Sequence, residues 1–299
     1  MSRNQLSHSP LSEPDQLVDV AGATHRGHVR EINEDHYLIV RFGRTLETVA
    51  TNLDDSLFAR GNEVSGYGML VADGMGGMAG GEVASSLALK KLVDLVVETP
   101  DWILSLDKWE DVARTLKRFS NRFVEVDKAI RDRARLDTSL QGMGTTLTVA
   151  ATLGNDLILA HVGDSRVYLL RDDALTQLTT DHTLAQALIQ AGVIDSEDKA
   201  ARSVRHVLTA AMGSLDASTT PQVQRIHLNE GDVLLLCTDG LTDMVKEETI
   251  KTVLAEEKPA HRACHDLVDL ALAAGGRDNI TVIVARLGTP EAVPKNSAA

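Results

Sequence analysis

Between residues 145 and 178 the chain alternates apolar runs with turns too short to hold a helix. Residues 145–151, 157–162 and 167–170 are rich in Val, Ile, Leu and Thr, and Gly154-Asn155-Asp156 and Gly163-Asp164-Ser165 separate them. A parallel pair needs a crossover of roughly a dozen residues or more, so these runs predict an antiparallel meander. Runs of the same kind at 17–23, 36–40, 67–72, 223–228, 233–237 and 280–285 predict further strands. Helical period is kept apart from them. Residues 81–98 carry Val83, Leu87 and Leu95 for an apolar face and Lys90, Lys91 and Asp94 for a charged one. Residues 107–136 place Trp109, Val112, Leu116, Phe119, Phe123, Val126 and Ile130 at steps of three or four. Shorter amphipathic segments occupy 247–256 and 260–274. Antiparallel strands grouped apart from helices predict an α+β fold in which helices cover the sheets.

The 299 residues suffice for one sizeable core. Residues 1–16, rich in Ser, Pro, Asn and Gln, and residues 288–299 are expected to be disordered tails, which leaves 17–287 as a single domain. Residues 179–215 interrupt the strands with short helical patterns, Gly192 and Gly213, and are expected to form a flap subdomain. Residues 44–66 are a weakly patterned insert with no predicted element. A net charge of −13 argues against non-specific nucleic-acid binding, which needs a basic surface. No apolar run approaches the ~18 residues of a spanning helix, and the polar N-terminus lacks a signal-peptide core. With two cysteines, Cys237 and Cys264, a disulfide scaffold is excluded and a reducing, cytoplasmic setting is expected.

The acidic residues carry more information by position than by number. Asp35 stands beside a predicted strand, Asp73 ends one and precedes Gly74, and Asp164 ends another. Asp239 ends a fourth and precedes Gly240, while Asp278 precedes Asn279 and the last strand. Taken singly, Asp-Gly and Asp-Asn are turn formers. Five carboxylates at strand ends that lie together would repel one another severely, and divalent cations relieve that repulsion. An all-oxygen set of this kind selects Mg²⁺ or Mn²⁺ rather than zinc. Arg30 is a candidate for holding an anionic substrate, because its planar guanidinium matches phosphate oxygens.

In this order, the segments Gly27-His28-Val29-Arg30-Glu31-Ile32-Asn33-Glu34-Asp35, Val71-Ala72-Asp73-Gly74-Met75-Gly76-Gly77, Gly144-Thr145-Thr146, Val162-Gly163-Asp164-Ser165-Arg166, Thr180-Asp181-His182, Cys237-Thr238-Asp239-Gly240-Leu241-Thr242-Asp243 and Gly276-Arg277-Asp278-Asn279 resemble the bacterial metal-dependent Ser/Thr protein phosphatases of the 2C type, the PPM family. The resemblance implies a four-layer αββα sandwich, two antiparallel sheets flanked by helices, with the metal site at one edge. It implies two core Mn²⁺ or Mg²⁺ ions and a possible third. Asp73 would bridge the core ions, with the Gly74 carbonyl on one and Asp239 and Asp278 on the other. Asp35, assisted by Glu34, would act partly through water. Asp164 with Asp239 would form the third site, and Arg30 would bind the substrate phosphate. The implied reaction is in-line attack on a phosphoserine or phosphothreonine ester by a hydroxide shared between the two ions. Many eukaryotic relatives have a His two residues after the bridging aspartate as general acid. Here that position is Met75, which has no proton to give, and His161 and His182 are the other candidate donors.

The implied partners are phosphoprotein substrates and a Ser/Thr kinase or its targets, acted on by a monomer, without nucleic acid or membrane. Other chemistries fit less well. The loop from Gly74 to Ala79, followed by Asp94, imitates a dinucleotide fingerprint, but Asp73 would repel a pyrophosphate and the strands lack βαβ alternation. Neither cysteine has an Arg six residues on, no Asp-x-Asp triplet occurs, and His25 and His28 lack a second pair of zinc ligands. A regulatory module that binds phosphoproteins on the same fold is the remaining alternative.

Overall fold

The computed structural model describes residues 17–43, 65–76, 80–98, 109–195, 198–214 and 220–288. The expected tail 1–16, all of the expected tail 288–299 but Gly288, and residues 44–64 of the insert lie outside them. Strands β1 (Leu17–His25), β2 (His36–Gly43), β3 (Ser65–Ala72) and β4 (Gly74–Met75) precede helices α1 (Gly80–Glu98) and α2 (Trp109–Leu136). Then come β5 (Gly144–Thr145), β6 (Leu147–Leu153), β7 (Asp156–Val162), β8 (Arg166–Arg171) and β9 (Ala174–Gln177). Helices α3 (Leu184–Gln190) and α4 (Lys199–Val204) occupy the expected flap, and β10 (Gln222–His227) and β11 (Val233–Cys237) return to the sheets. The chain closes with α5 (Asp239–Thr242), α6 (Glu247–Ala255), α7 (Ala260–Ala273) and β12 (Ile280–Gly288).

Two five-stranded antiparallel sheets result, in the orders β1-β12-β11-β8-β9 and β10-β7-β6-β3-β2, with β4 and β5 as a small separate ribbon. The central strands are apolar on both faces because both faces are covered. On β11, Leu234 and Leu236 join Met69, Val71, Leu157 and Leu159 in a layer between the sheets. Val233, Leu235 and Cys237 point the other way, against Ile250, Leu254, Leu267 and Ala271 of α6 and α7. On the far side, Leu70 of β3 and Ile158 and Ala160 of β7 pack under Leu89, Phe123 and Ile130 of α1 and α2. The period of two thus sorts each strand into two buried layers, and the four-layer sandwich follows. Helix α2 supports its length with Glu110 and Asp111 in its first turn and Arg133 and Arg135 in its last, complementing the helix dipole.

The meander is corrected at its third run. Strands β6 and β7 form the expected hairpin, with Val149 opposite Ala160. Strand β8 leaves that sheet and pairs with β11 and β9 in the other. Gly163, at φ +116°, redirects the chain, and Ser165 is fastened back to Thr146 by a buried hydroxyl pair at 2.8 Å. Because β8 is apolar on both faces, its pattern serves either sheet equally. The exposed edge strand β9 was not predicted, and neither was the β4–β5 ribbon.

Candidate metal centre

The turns at one edge of the sandwich bring the five predicted carboxylates into one electrostatic cluster. Asp35 lies just before β2, Asp73 between β3 and β4, Asp164 between β7 and β8, Asp239 at the first residue of α5, and Asp278 just before β12. Burial drives the Asp73 pKa well above its ordinary value, followed by repulsion from Asp35, Asp239, Asp164 and Asp278. Burial likewise moves Asp35 up to about 7, against hydrogen bonds from Thr281 and Thr238. Asp164 rises to about 7 through burial and then through Asp239 and Asp181.

The backbone at Asp73 and the loop leading to Asp35 are tied down, so this part of the cluster is built rather than incidental. Asp73 N–H donates to Thr146 Oγ1 at 2.9 Å, and its carbonyl accepts from Thr146 N–H at 2.9 Å and Thr145 Oγ1 at 2.8 Å. A Cβ on Gly74 would overlap the Gly81 carbonyl at the start of α1, so only glycine lets this turn pack there. Thr238 Oγ1 donates to Asp35 Oδ2 at 2.8 Å. Asn279 Nδ2 donates to the carbonyls of Arg26 at 2.8 Å and Ile32 at 3.0 Å, while its Oδ1 accepts from Glu34 N–H at 2.8 Å. That one side chain shapes the loop carrying Arg30, Glu34 and Asp35. Asn279, Thr146 and Thr238 were not singled out from the sequence, where all three entered only as parts of motifs.

The donor set fits divalent cations. Asp35 Oδ1 and Glu34 Oε1 are buried and accept no hydrogen bond, an arrangement that costs free energy unless a cation or water meets those oxygens. Burial also raises the Glu34 pKa, with Arg30 opposing it. Every candidate side-chain ligand is a carboxylate oxygen, which suits Mg²⁺ or Mn²⁺.

Arg30 reaches the same place. Its Nη2 donates to Asp278 Oδ2 at 2.6 Å, and half of its side chain is exposed. One bond to Asp278 leaves several guanidinium N–H groups for an incoming anion. From the flap, Arg205 Nη2 lies 3.2 Å from Asp243 Oδ2 and His206 Nδ1 lies 3.8 Å from Asp239 Oδ2. The approach to Asp239, and then the charge of Asp243, raises the His206 pKa, against partial burial. This flap contact at Arg205 and His206 had no signal in the sequence pattern.

His161 and His182 pack against one another behind the Gly163 turn. His161 is fully buried; its Nε2–H donates to the Gly163 carbonyl at 3.0 Å, so its Nδ1 accepts from Thr148 Oγ1 at 2.8 Å. Its ring stacks on His182 at 5.1 Å, and His182 Nδ1 accepts from Gly163 N–H at 3.2 Å. Burial, then the neighbouring His182, lowers the His161 pKa to about 3. Burial favours the uncharged ring, so His161 is expected to stay neutral from about pH 8 to about pH 5. Its ¹⁵N imidazole shifts should stay constant across that range. A midpoint above about 5.5 would show that the ring reaches solvent.

A sequence profile of the protein phosphatase 2C family matches residues 42–270. The chain belongs to the protein phosphatase 2C family. It is 39% identical over 242 residues to the serine/threonine protein phosphatase PstP of Mycobacterium tuberculosis, covering 79% of this chain and 44% of PstP. The chain therefore spans less than half the length of that relative. It is 34% identical over 224 residues to the protein phosphatase PhpP of Streptococcus pneumoniae, covering 75% of this chain and 87% of PhpP. The crystal structure of the PstP catalytic domain in complex with two manganese ions superposes with a TM-score of 0.69 at 34% identity, over 91% of this chain and 98% of that one. The family match agrees with the two-sheet architecture expected from the motifs.

Proposed function

We propose that this chain is a Mn²⁺- or Mg²⁺-dependent phosphatase acting on phosphoserine and phosphothreonine in proteins. The observation that carries the reading is the charge crowding at Asp73, whose half-buried carboxylate lies in the field of Asp35, Asp239, Asp164 and Asp278. Such a cluster has little structural use without cations to neutralise it. Asp73, the Gly74 carbonyl, Asp239 and Asp278 would hold two core ions, with Asp35 and Glu34 behind them and Asp164 with Asp239 at a third. When bound, the ions supply Lewis-acid charge and an activated water for in-line attack at phosphorus.

The chain's own residues do the positioning. Arg30, within the field of Asp278, Asp73 and Glu34, directs its free N–H groups at the phosphoryl oxygens. Asn279 keeps the loop of Arg30, Glu34 and Asp35 in register with the cluster. The thioether of Met75 holds no proton, and both ring nitrogens of His161 are occupied, so neither residue protonates the leaving alcohol. Among the described residues no helix is long and apolar enough to cross a membrane, and Cys237 and Cys264 are buried free thiols. We take the enzyme to be a cytoplasmic monomer opposing a Ser/Thr kinase.

The test is phosphate release from phosphothreonine and phosphoserine peptides, with Mn²⁺ and with EDTA. Turnover that needs Mn²⁺, stops with EDTA and returns when Mn²⁺ is restored is the expected result. Folded protein that binds Mn²⁺ and turns over neither peptide would overturn the assignment.

A further inference from the structure

A second groove, of about 690 Å³, opens beside the carboxylate cluster without using any of its aspartates. Met75, the residue after Gly74, stands in its wall with Gly144, and Leu208 and Ala211 of the flap's return segment line it as well. Arg131 and Arg135, one helical turn apart on α2, complete it. Among the described residues no Asp or Glu lines this groove, although the chain holds 43 acidic residues and a net charge of −13. The smaller cleft under the flap, about 230 Å³, is the opposite, with Asp164, Asp181, Asp239 and Asp243 in its walls.

The two arginines are presented differently. Arg131 Nη2 donates to Asp127 Oδ2 at 2.6 Å, and Asp127, almost wholly buried behind the groove, accepts with its other oxygen from Gly213 N–H at 2.7 Å. A buried carboxylate thus fixes Arg131 against the flap's return segment while leaving part of its guanidinium accessible. Arg135 Nη1 meets Asp132 at 3.1 Å, and its side chain is 69% exposed. An exposed pair of that kind contributes little and yields to a competing anion. Each guanidinium keeps further N–H donors in the fork that matches carboxylate or phosphate.

We propose that this groove takes the substrate segment flanking the phosphorylated residue, and that Arg131 and Arg135 select an anionic side chain on it, a carboxylate or a second phosphate. The inference rests on the phosphatase reading and deepens it. An extended peptide advances about 3.3 Å per residue, so a chain entering past Met75 carries its next few residues along the groove. The apolar surfaces of Met75, Leu208 and Ala211 cover the side chains between the two anions.

The experiment uses the full chain with Mn²⁺ and phosphothreonine peptides that differ only in their flanks. One has alanine throughout. Others carry glutamate, or a non-hydrolysable phosphonate, on the N-terminal or the C-terminal side. At least one anionic peptide is expected to exceed the alanine peptide in kcat/KM by about tenfold, mainly through KM. The advantage should shrink as salt rises from about 50 to about 300 mM. In Arg135→Ala the anionic peptide should lose most of that advantage, while the alanine peptide changes by less than about twofold. Arg131→Lys, which keeps a cation beside Asp127, should weaken the anionic peptides more than the alanine peptide, because lysine lacks the fork. Equal kcat/KM for all flanks, or a preference that survives both substitutions, overturns the inference. Anisotropy of the same labelled peptides separates it from the phosphatase reading. If no peptide is hydrolysed, that reading fails, and flank-dependent, Arg135-dependent binding would still uphold the groove. Flank-independent binding would end both.

Discussion

Asp73→Asn is expected to lower phosphothreonine-peptide hydrolysis by about a thousandfold or more, since it removes the most heavily shared charge of the site. The fold should survive. The bonds that fix residue 73 are made by its backbone, to Thr145 and Thr146, and asparagine keeps them. The two side chains also have nearly the same volume. In EDTA, deleting one negative charge from a buried like-charge cluster relieves repulsion, so Tm should equal or exceed that of the parent. In saturating Mn²⁺ the order should reverse. A ligand that binds only the folded state adds about 2.7 kcal/mol at a hundred times its Kd, and the variant gives up much of that gain. Calorimetric scans in the two buffers check both signs. A variant less stable than the parent in EDTA by as much as in Mn²⁺ would mean that Asp73 serves the fold rather than a cation. Hydrolysis within tenfold of the parent would remove it from the centre of the site.

The strands and the carboxylates could be read from the amino-acid order for related reasons. A strand buried on both faces is a short apolar run, and each aspartate of the cluster stands where such a run stops or is about to begin. Pairing was harder to read. The apolar pattern of β8 is satisfied by either sheet, and the buried hydroxyl pair of Ser165 and Thr146, distant in sequence, belongs to the turn that sends it across. Strand β9, with the sequence Ala-Leu-Thr-Gln, is exposed and polar enough to pass for a loop. It follows Asp172 and Asp173, whose positive φ angles mark a tight turn that sequence alone does not distinguish from coil. Within the site, charge made the ligands conspicuous, whereas the groups that aim them are neutral. Thr146, Thr238 and Asn279 belong to residue types that end strands and form turns everywhere. Only the assembled fold shows which backbone groups they meet. The contact of Arg205 and His206 with Asp243 and Asp239 was hidden for another reason, since it joins the flap to α5 across more than thirty residues of chain.

Asn279 supplies the second large effect. Its side chain is buried and makes three hydrogen bonds, two to carbonyls and one to an N–H, all on the loop from Arg26 to Glu34. Asn279→Ala strips partners from all three backbone groups. The loop is partly exposed, so water replaces some of them, and a stability loss of about 1–3 kcal/mol is expected. The catalytic loss should be larger in proportion. Arg30, Glu34 and Asp35 all ride on this loop, and a displacement of about 1 Å at such groups costs about a hundredfold. Asn279→Asp makes a sharper comparison, because it differs hardly at all in size. It keeps an acceptor for Glu34 N–H, but it turns two donors into an oxygen facing two carbonyls, and it adds a charge beside Asp278. It should therefore fail to rescue activity and should be no more stable than the alanine variant. Hydrogen exchange would locate the change, with faster exchange in residues 26–35 of both variants and little change in the central strands of either sheet. If Asn279→Ala kept kcat/KM within about threefold, or if Asn279→Asp behaved like the parent, the loop would have to be held by something other than this side chain.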